Sequence, residues 1–434
     1  MFSITAVQRK KSKDFQLVNI QLVMTVCKFF DKNYVLLDIV FIQFRFVMPI
    51  GKTVFSQLMD LVPEYEFKKC VDKYNGDFHA LKFTCRDQFR VMSYAQFTDR
   101  SSLRDIEATL TVFSAKLYHS GLKFIPKSTL AYMNETKDWQ IYRDFAMVLI
   151  AWAQRLYKDD YFRLGLDEMV YAFDSSTIEL CLKLCPWAEY KENSGAMKMH
   201  TLLNLRGSIP TFIWMTEGKV NDMNGLDVLP VEAGAYYLMD KGYVDFWRLY
   251  NLFHLRQAYF VTRAKDNMRF KVIEERPVDM HAGLISDQSI RLTGTLVSKD
   301  YPEMMRMVVY EDYATNNVYR FLTNNFTIDA LTVAELYRER WQIELFFKWI
   351  KQHLHVKSFF GTTKNALFAQ IWIAVCDYLL LVIAKKMFHI EQNLYIFSQA
   401  IGLVLFEKMP VSELFNRIDN SKLEPENDGQ GWLF

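Results

Sequence analysis

Apolar positions along the chain change their period twice. From residue 52 to about 157 they recur at helical spacing, first as Phe55, Leu58, Met59, Leu61 and Val62, then as Phe67 and Val71. Residues 86–97 and 103–117 predict two helices around a turn at 98–102, with Ser101 or Ser102 as N-cap and Asp105 in the first turn. Further helices are expected from Ser128 or Thr129, behind Pro126, and over 138–157. The result is an all-helical N-terminal region with helix-turn-helix potential. From residue 168 short apolar runs take over: 169–173 ending at Asp174, 200–206, 209–216, 235–239 ending at Asp240, and 259–263. Gly207-Ser208 suits a hairpin between the second and third, and 246–255 is helix-like. This pattern predicts a mixed α/β sheet. Alternating runs at 289–292, 305–310 and 318–322 predict an added antiparallel β element, and helices return from Val333.

Two apolar stretches need separate treatment. Residues 16–47, behind Lys10, Lys11 and Lys13, are broken by Asp31, Lys32, Asp38, Gln43 and Arg45, and no small-residue cleavage site follows. They do not suit a signal peptide or anchor; a start at Met48 is expected, with 1–47 an upstream extension. Residues 367–384 contain Gln370, Asp377 and Tyr378. A membrane helix is the alternative there, but a carboxylate in lipid is costly, so a buried core helix is expected and no membrane partner. Residues 412–434 are polar and expected to fray.

Charge and cysteine content narrow the class. The net charge is +2 over 434 residues, so bulk charge does not announce a nucleic-acid partner. Residues 1–150 hold 21 Lys+Arg against 15 Asp+Glu, a net of +6, and the remainder holds 31 against 35, a net of −4. A basic N-terminal region on a mildly acidic body is compatible with DNA docking at one end. The six cysteines form no zinc-ligand spacing and no disulfide framework, which suits a reducing cytoplasm.

Asp174, in Phe173-Asp174-Ser175-Ser176-Thr177, and Asp240, in Met239-Asp240-Lys241-Gly242-Tyr243, are read as standing at strand ends. Alone, either is as readily a loop or helix cap. Around Glu344 the pattern is more demanding. With about 100° per residue and Tyr337 at zero, Arg340 falls near 300°, Glu344 near 340° and Lys351 near 320°. Leu336, Ile343, Phe347, Ile350 and Leu354 anchor the neighbouring arc to a core. Intrahelical pairing of Arg340 with Glu344 explains two of these positions but requires neither Tyr337 nor Lys351.

The spacing Y-x2-R-x3-E-x6-K over Tyr337, Arg340, Glu344 and Lys351 resembles the Y-R-E-K signature of bacterial insertion-sequence DDE transposases. The D-S-S-T at Asp174, the D-K-G-Y at Asp240 and Lys198-Met199-His200 resemble that group's other motifs. The resemblance covers roughly residues 50–405. It implies an RNase H-like α/β fold: a mixed sheet with flanking helices and a β-rich insertion, preceded by an all-helical N-terminal domain. The expected division is an extension 1–47, a helical DNA-binding domain 48–160, a core in two parts at 161–265 and 329–411, an insertion at 266–328 and a tail at 412–434.

The resemblance also implies chemistry. Asp174, Asp240 and Glu344 are the expected catalytic and metal-binding residues, holding two Mg²⁺ ions for which Mn²⁺ can substitute. Tyr337, Arg340 and Lys351 are expected at DNA phosphates, with Lys198, His200, Arg263 and Lys265 as further candidates; a plain surface or core role explains those four equally well. Arg86, Arg90, Arg100, Arg104 and Lys127 are candidate contacts to the double-stranded terminal inverted repeats, and target DNA is the second substrate. A homodimer on paired ends is implied. Some relatives hold a flipped base with a tryptophan in the insertion, but residues 255–330 contain none; Tyr301, Tyr310, Tyr313 and Phe270 remain as substitutes. Competing readings are an RNase H-like nuclease without strand transfer and a non-catalytic DNA-binding derivative.

Overall fold

The computed structural model describes residues 51–191, 194–353 and 359–415; the expected extension 1–47 and nearly all of the tail lie outside them. Seven helices open the described chain: α1 (Val54–Met59), α2 (Glu64–Lys73), α3 (Cys85–Phe97), α4 (Leu103–Val112), α5 (Ser114–Ser120), α6 (Lys127–Thr136) and α7 (Gln140–Leu156). Their starts are set by local chemistry. Thr84 and Asp87 form a capping box on α3, and the Ser102 side chain accepts from the Asp105 N–H to cap α4. Each such cap is worth about 1 kcal/mol. The helix expected over 103–117 is divided at Phe113 into α4 and α5.

Ten strands follow: β1 (Val170–Leu180), β2 (Glu189–Lys191), β3 (Ser194–Asn204), β4 (Ile209–Glu217), β5 (Tyr236–Met239), β6 (Tyr259–Arg263), β7 (Phe270–Arg276), β8 (Leu284–Leu292), β9 (Met305–Asp312) and β10 (Asn317–Thr323). The core order is β4-β3-β1-β5-β6, with β3 antiparallel to both neighbours and β1, β5 and β6 mutually parallel. That is the RNase H-like arrangement. The β3–β4 hairpin turns through Gly207 and Ser208, both at positive φ. The insertion does not stand apart as a separate element. Its last strand, β10, pairs antiparallel with β6, so β10-β9-β8-β7 extend the same sheet. β7 was not expected, because its Lys271, Glu274, Glu275 and Arg276 mask the alternation of a half-exposed edge strand.

Two expectations about strand limits are corrected. Asp174 is not at a strand end: β1 continues to Leu180, because β3 pairs with it as far as Leu180↔Gly195. What ends beside Asp174 is the other neighbour, β5, at Met239. Lys198 and His200 likewise lie inside β3 rather than at its start.

The chain then forms α8 (Ala330–Glu339), α9 (Trp341–His353), α10 (Lys364–Met387) and α11 (Leu394–Val404). The helix expected through Tyr337 to Lys351 is interrupted at Arg340, where tighter turns carry the chain from α8 into α9. α10 is long and apolar enough to cross a membrane, yet its apolar window is wholly buried within the protein. Its Asp377 is fully enclosed, and burial pushes that carboxyl well above the usual range, so it sits there uncharged. The N-terminal helices pack on α10 in one continuous core with α8 and α9. Tyr157 donates to the Val382 carbonyl and Gln96 to that of Gln370, and Val54 and Phe55 donate backbone N–H groups to Glu407 and Leu405. Residues 54–156 therefore do not bury their apolar faces by themselves.

Candidate active site

Side-chain parity decides which face of the sheet each acid occupies. Val170 and Ala172 of β1, and Tyr236 and Leu238 of β5, point into the core under α8 and α9; Tyr171, Phe173, Tyr237 and Met239 point to the other face. Counting on by two, Asp174 and Asp240 both face the signature helices. The β1–β5 register pairs Ala172 with Leu238, on strands about 4.8 Å apart, so Asp174, two residues on in β1, and Asp240, just past the end of β5, stand at one level. Ile343, Phe346 and Phe347 seat α9 on that same face, which brings Glu344 to the acids.

Cross-links between the three segments complete the arrangement. Arg340 Nη2 donates to Glu344 Oε1 at 2.7 Å, and its Nη1 lies 3.6 Å from Asp174 Oδ2. The Tyr337 hydroxyl donates to Asp240 Oδ1 at 3.2 Å, while its ring packs against Phe321. Arg340 also lies over the Tyr337 ring. Burial pushes the Asp174 carboxyl up to about 6; the Ser175 N–H and the Arg340 charge oppose this, and Glu344 and Asp240 add to the rise.

A profile described as "Transposase DDE domain" matches residues 165–380, and one described as "Domain of unknown function (DUF4372)" matches residues 50–123. The putative transposase y4zB of Sinorhizobium fredii is 34% identical over 251 residues, covering 57% of this chain and 69% of that protein. The chain belongs to the DDE transposase family. A second relative, the probable transposase for insertion sequence element IS5377 of Geobacillus stearothermophilus, is 30% identical over 210 residues, 48% of this chain and 54% of its own. Among solved structures, the piggyBac transposase synaptic complex with hairpin DNA aligns over 87% of this chain and 84% of its own, at 12% identity and a TM-score of 0.44; that similarity is too low to bear on function.

DDE transposases are DNA-cutting and strand-transferring enzymes whose chemistry implies divalent metal. In this transposase the donor set suits such an ion: three carboxylates stand on one face, and burial, with the neighbouring acids adding to it, resists the ionisation of Asp174. Among the described residues no three acidic, histidine or cysteine side chains are already gathered as a metal cage. The Arg340 guanidinium, instead, bridges two of the acids.

The other expected site residues divide. Lys351 is exposed on α9, one helical turn beyond the exposed Lys348. Arg263, at the end of β6, packs over the Tyr319 ring and lies close enough to Tyr337 to act on its ionisation. Lys265 is exposed and donates to the Val244 carbonyl. His200 and Lys198 are corrected as DNA contacts. His200 is 0% exposed, with Nε2 3.0 Å from Thr216 Oγ1, and burial lowers its pKa to about 4. Gly225 lies so close that a Cβ there would sit 2.9 Å from His200 Nδ1. This imidazole is neutral at pH 7 and has no path to a phosphate. Lys198 is also buried; it donates to the Val220 carbonyl and pairs with Asp222 at 3.0 Å. In the N-terminal region Arg86 pairs with Glu64, Arg90 donates to the Gly121 carbonyl, and Arg100 is held by Thr98 and Asp105. Arg104 and Lys127 are exposed. Tyr301, one of the insertion aromatics, is 0% exposed, whereas Tyr313 is 60% exposed.

Proposed function

We propose that this chain is an insertion-sequence transposase of the Y-R-E-K group, which binds the terminal inverted repeats of its element and cuts and transfers DNA strands with Mg²⁺. Asp174, Asp240 and Glu344 are the residues that would hold the metal. The observation that carries this reading is the placement of those acids, from segments 66 and 104 residues apart, on one sheet face, cross-linked by Arg340 and Tyr337. When bound, a pair of divalent ions activates an oxygen nucleophile and stabilises the leaving oxygen.

The chain's own residues supply orientation and charge. Tyr337 fixes Asp240. Arg340 bridges Glu344 and Asp174 and offsets part of their charge, and its guanidinium suits a phosphate brought against those acids. Lys348, Lys351 and Arg263 present cations along the approach, where they fix DNA position without reading sequence. The exposed side of the α3–α4 turn, with Arg104, and the start of α6, with Lys127, are the proposed contacts to repeat DNA. Work on two ends implies a dimer on DNA, and the cysteine usage suits the cytoplasm.

The test is cleavage of a labelled repeat end by the full chain, with Mg²⁺ and with chelator. Expected are metal-dependent nicking followed by joining to a target duplex, both lost in Asp174→Asn with DNA binding retained. Cleavage that persists in Asp174→Asn would sink the assignment. Cleavage without joined product would favour a nuclease.

A further inference from the structure

We propose that Tyr243 is a positioning residue for Asp174, reaching it from the opposite face of the sheet. This rests on the proposed role of Asp174 as a metal ligand. Tyr243 follows Asp240 by three residues, in the turn Lys241–Tyr243, and its ring belongs to the other core, stacked edge-on against Phe173 at 5.2 Å. A side chain on that face would ordinarily be walled off from Asp174 by the neighbouring strand. Here the wall ends: β5 stops at Met239 while β1 runs on to Leu180. Through that gap the Tyr243 hydroxyl comes within 3.0 Å of Ser175 Oγ and 3.3 Å of Asp174 Oδ1. The Ser175 N–H donates to the same Oδ1 at 2.7 Å. Oδ1 thereby accepts from the Ser175 N–H and shares the single phenol hydrogen with Ser175 Oγ, while Oδ2 faces Arg340.

The two aspartates are then each held by a tyrosine from another segment, and Glu344 is tied to Asp174 through Arg340. The second motif supplies Tyr243 to Asp174; α8 supplies Tyr337 to Asp240; and Arg340, at the α8–α9 junction, ties Glu344 back to Asp174. Tyr243 is 4% exposed, and its phenol hydroxyl faces the Asp174 carboxylate as a hydrogen-bond donor. Partners of this kind orient a ligand and set metal affinity, typically by about 10- to 100-fold.

The experiment uses full-length protein without DNA and follows Mn²⁺ binding by the loss of the free-ion signal in electron paramagnetic resonance. Tyr243→Phe keeps the ring against Phe173 and removes only the hydroxyl. It is expected to weaken Mn²⁺ binding about tenfold, while the melting temperature and the gel-shift affinity for repeat DNA stay at wild-type values. Ser175→Ala, which removes the hydroxyl that holds the tyrosine in place, is expected to weaken it severalfold and serves as the second variant should the first not fold. Wild-type Mn²⁺ affinity in a folded Tyr243→Phe, alongside loss in Asp174→Asn, overturns the positioning role. Unchanged affinity in both overturns the metal reading beneath it, and the positioning role with it.

Discussion

Two arginine–carboxylate clusters, one within the sheet and one between the sheet and the helices that cover it, differ in how far their charges are satisfied. In the insertion, Arg306 of β9 meets Asp287 of β8 through two bonds of 2.8 Å, with both side chains 4% exposed. The remaining guanidinium nitrogen donates to the carbonyls of Ile328 and Asn325, and Arg276 adds a second cation to Asp287. In the core, Arg340 is split between Glu344 at 2.7 Å and Asp174 at 3.6 Å, and a third acid stands nearby. The first cluster is fully satisfied and ties the insertion to the start of α8. The second has more negative charge than its arginine can neutralise. A structural ion pair is closed on itself, whereas this one leaves room for further positive charge, which is what a metal and a phosphate-bearing substrate would use.

The comparison breaks first if the insertion cluster proves dispensable. Arg306→Ala removes the bidentate partner of buried Asp287, leaves it with Arg276 alone, and takes the donor from the Ile328 and Asn325 carbonyls; it is expected to cost about 3–5 kcal/mol of stability in a denaturant melt. A loss below about 1 kcal/mol would mean that the pair behaves like a surface bridge. The core cluster should respond in the opposite sense. Asp174→Asn is expected to cut cleavage by more than about 100-fold, beyond the usual effect of outer-shell partners, without destabilising the metal-free protein.

A pH series sharpens the point. Asp174 is raised to about 6 in the folded chain, so the folded state holds this proton more tightly than the unfolded chain does. Stability of the metal-free protein from this group is therefore present below about pH 4 and is lost as pH rises to about 6. The loss is at most about 3 kcal/mol and should vanish in Asp174→Asn. If wild type and variant show the same pH profile, Asp174 is not a strained group. The smallest effect belongs to Lys351, which touches neither cluster. Lys351→Ala should leave stability alone and reduce the salt slope of DNA binding by about one counterion; an unchanged slope would remove it from the DNA path.

Much of this was legible in the sequence because it rests on short-range periodicity. The period of 3.6 placed the N-terminal helices and the face shared by Tyr337, Arg340 and Glu344. The apolar runs placed β1, β5 and β6, and the Y-x2-R-x3-E-x6-K spacing pointed to the transposase family. Single-sequence patterns were least informative where a neighbour decided the outcome. Ser175, Ser176 and Thr177 are polar and by pattern end a strand at Asp174; it is the antiparallel pairing with β3 that keeps them extended. For Tyr243 the sequence offers one signal, its place three residues after Asp240 in D-K-G-Y, and local pattern alone gives it no role.

The sequence by itself determined which side chains could do chemistry and which face of each element they share, since those follow from local geometry and side-chain type. Tertiary structure decided who meets whom. It put His200 and Lys198 inside the fold, since β3 is covered there by the chain around Asp222 and Gly225. It joined the insertion to the core sheet, because β6 had a free edge for β10 to pair. And it let Tyr243 reach Asp174, because β5 is four residues long and β1 is eleven. Strand length relative to a partner is a property of the pair, and no window of one strand contains it.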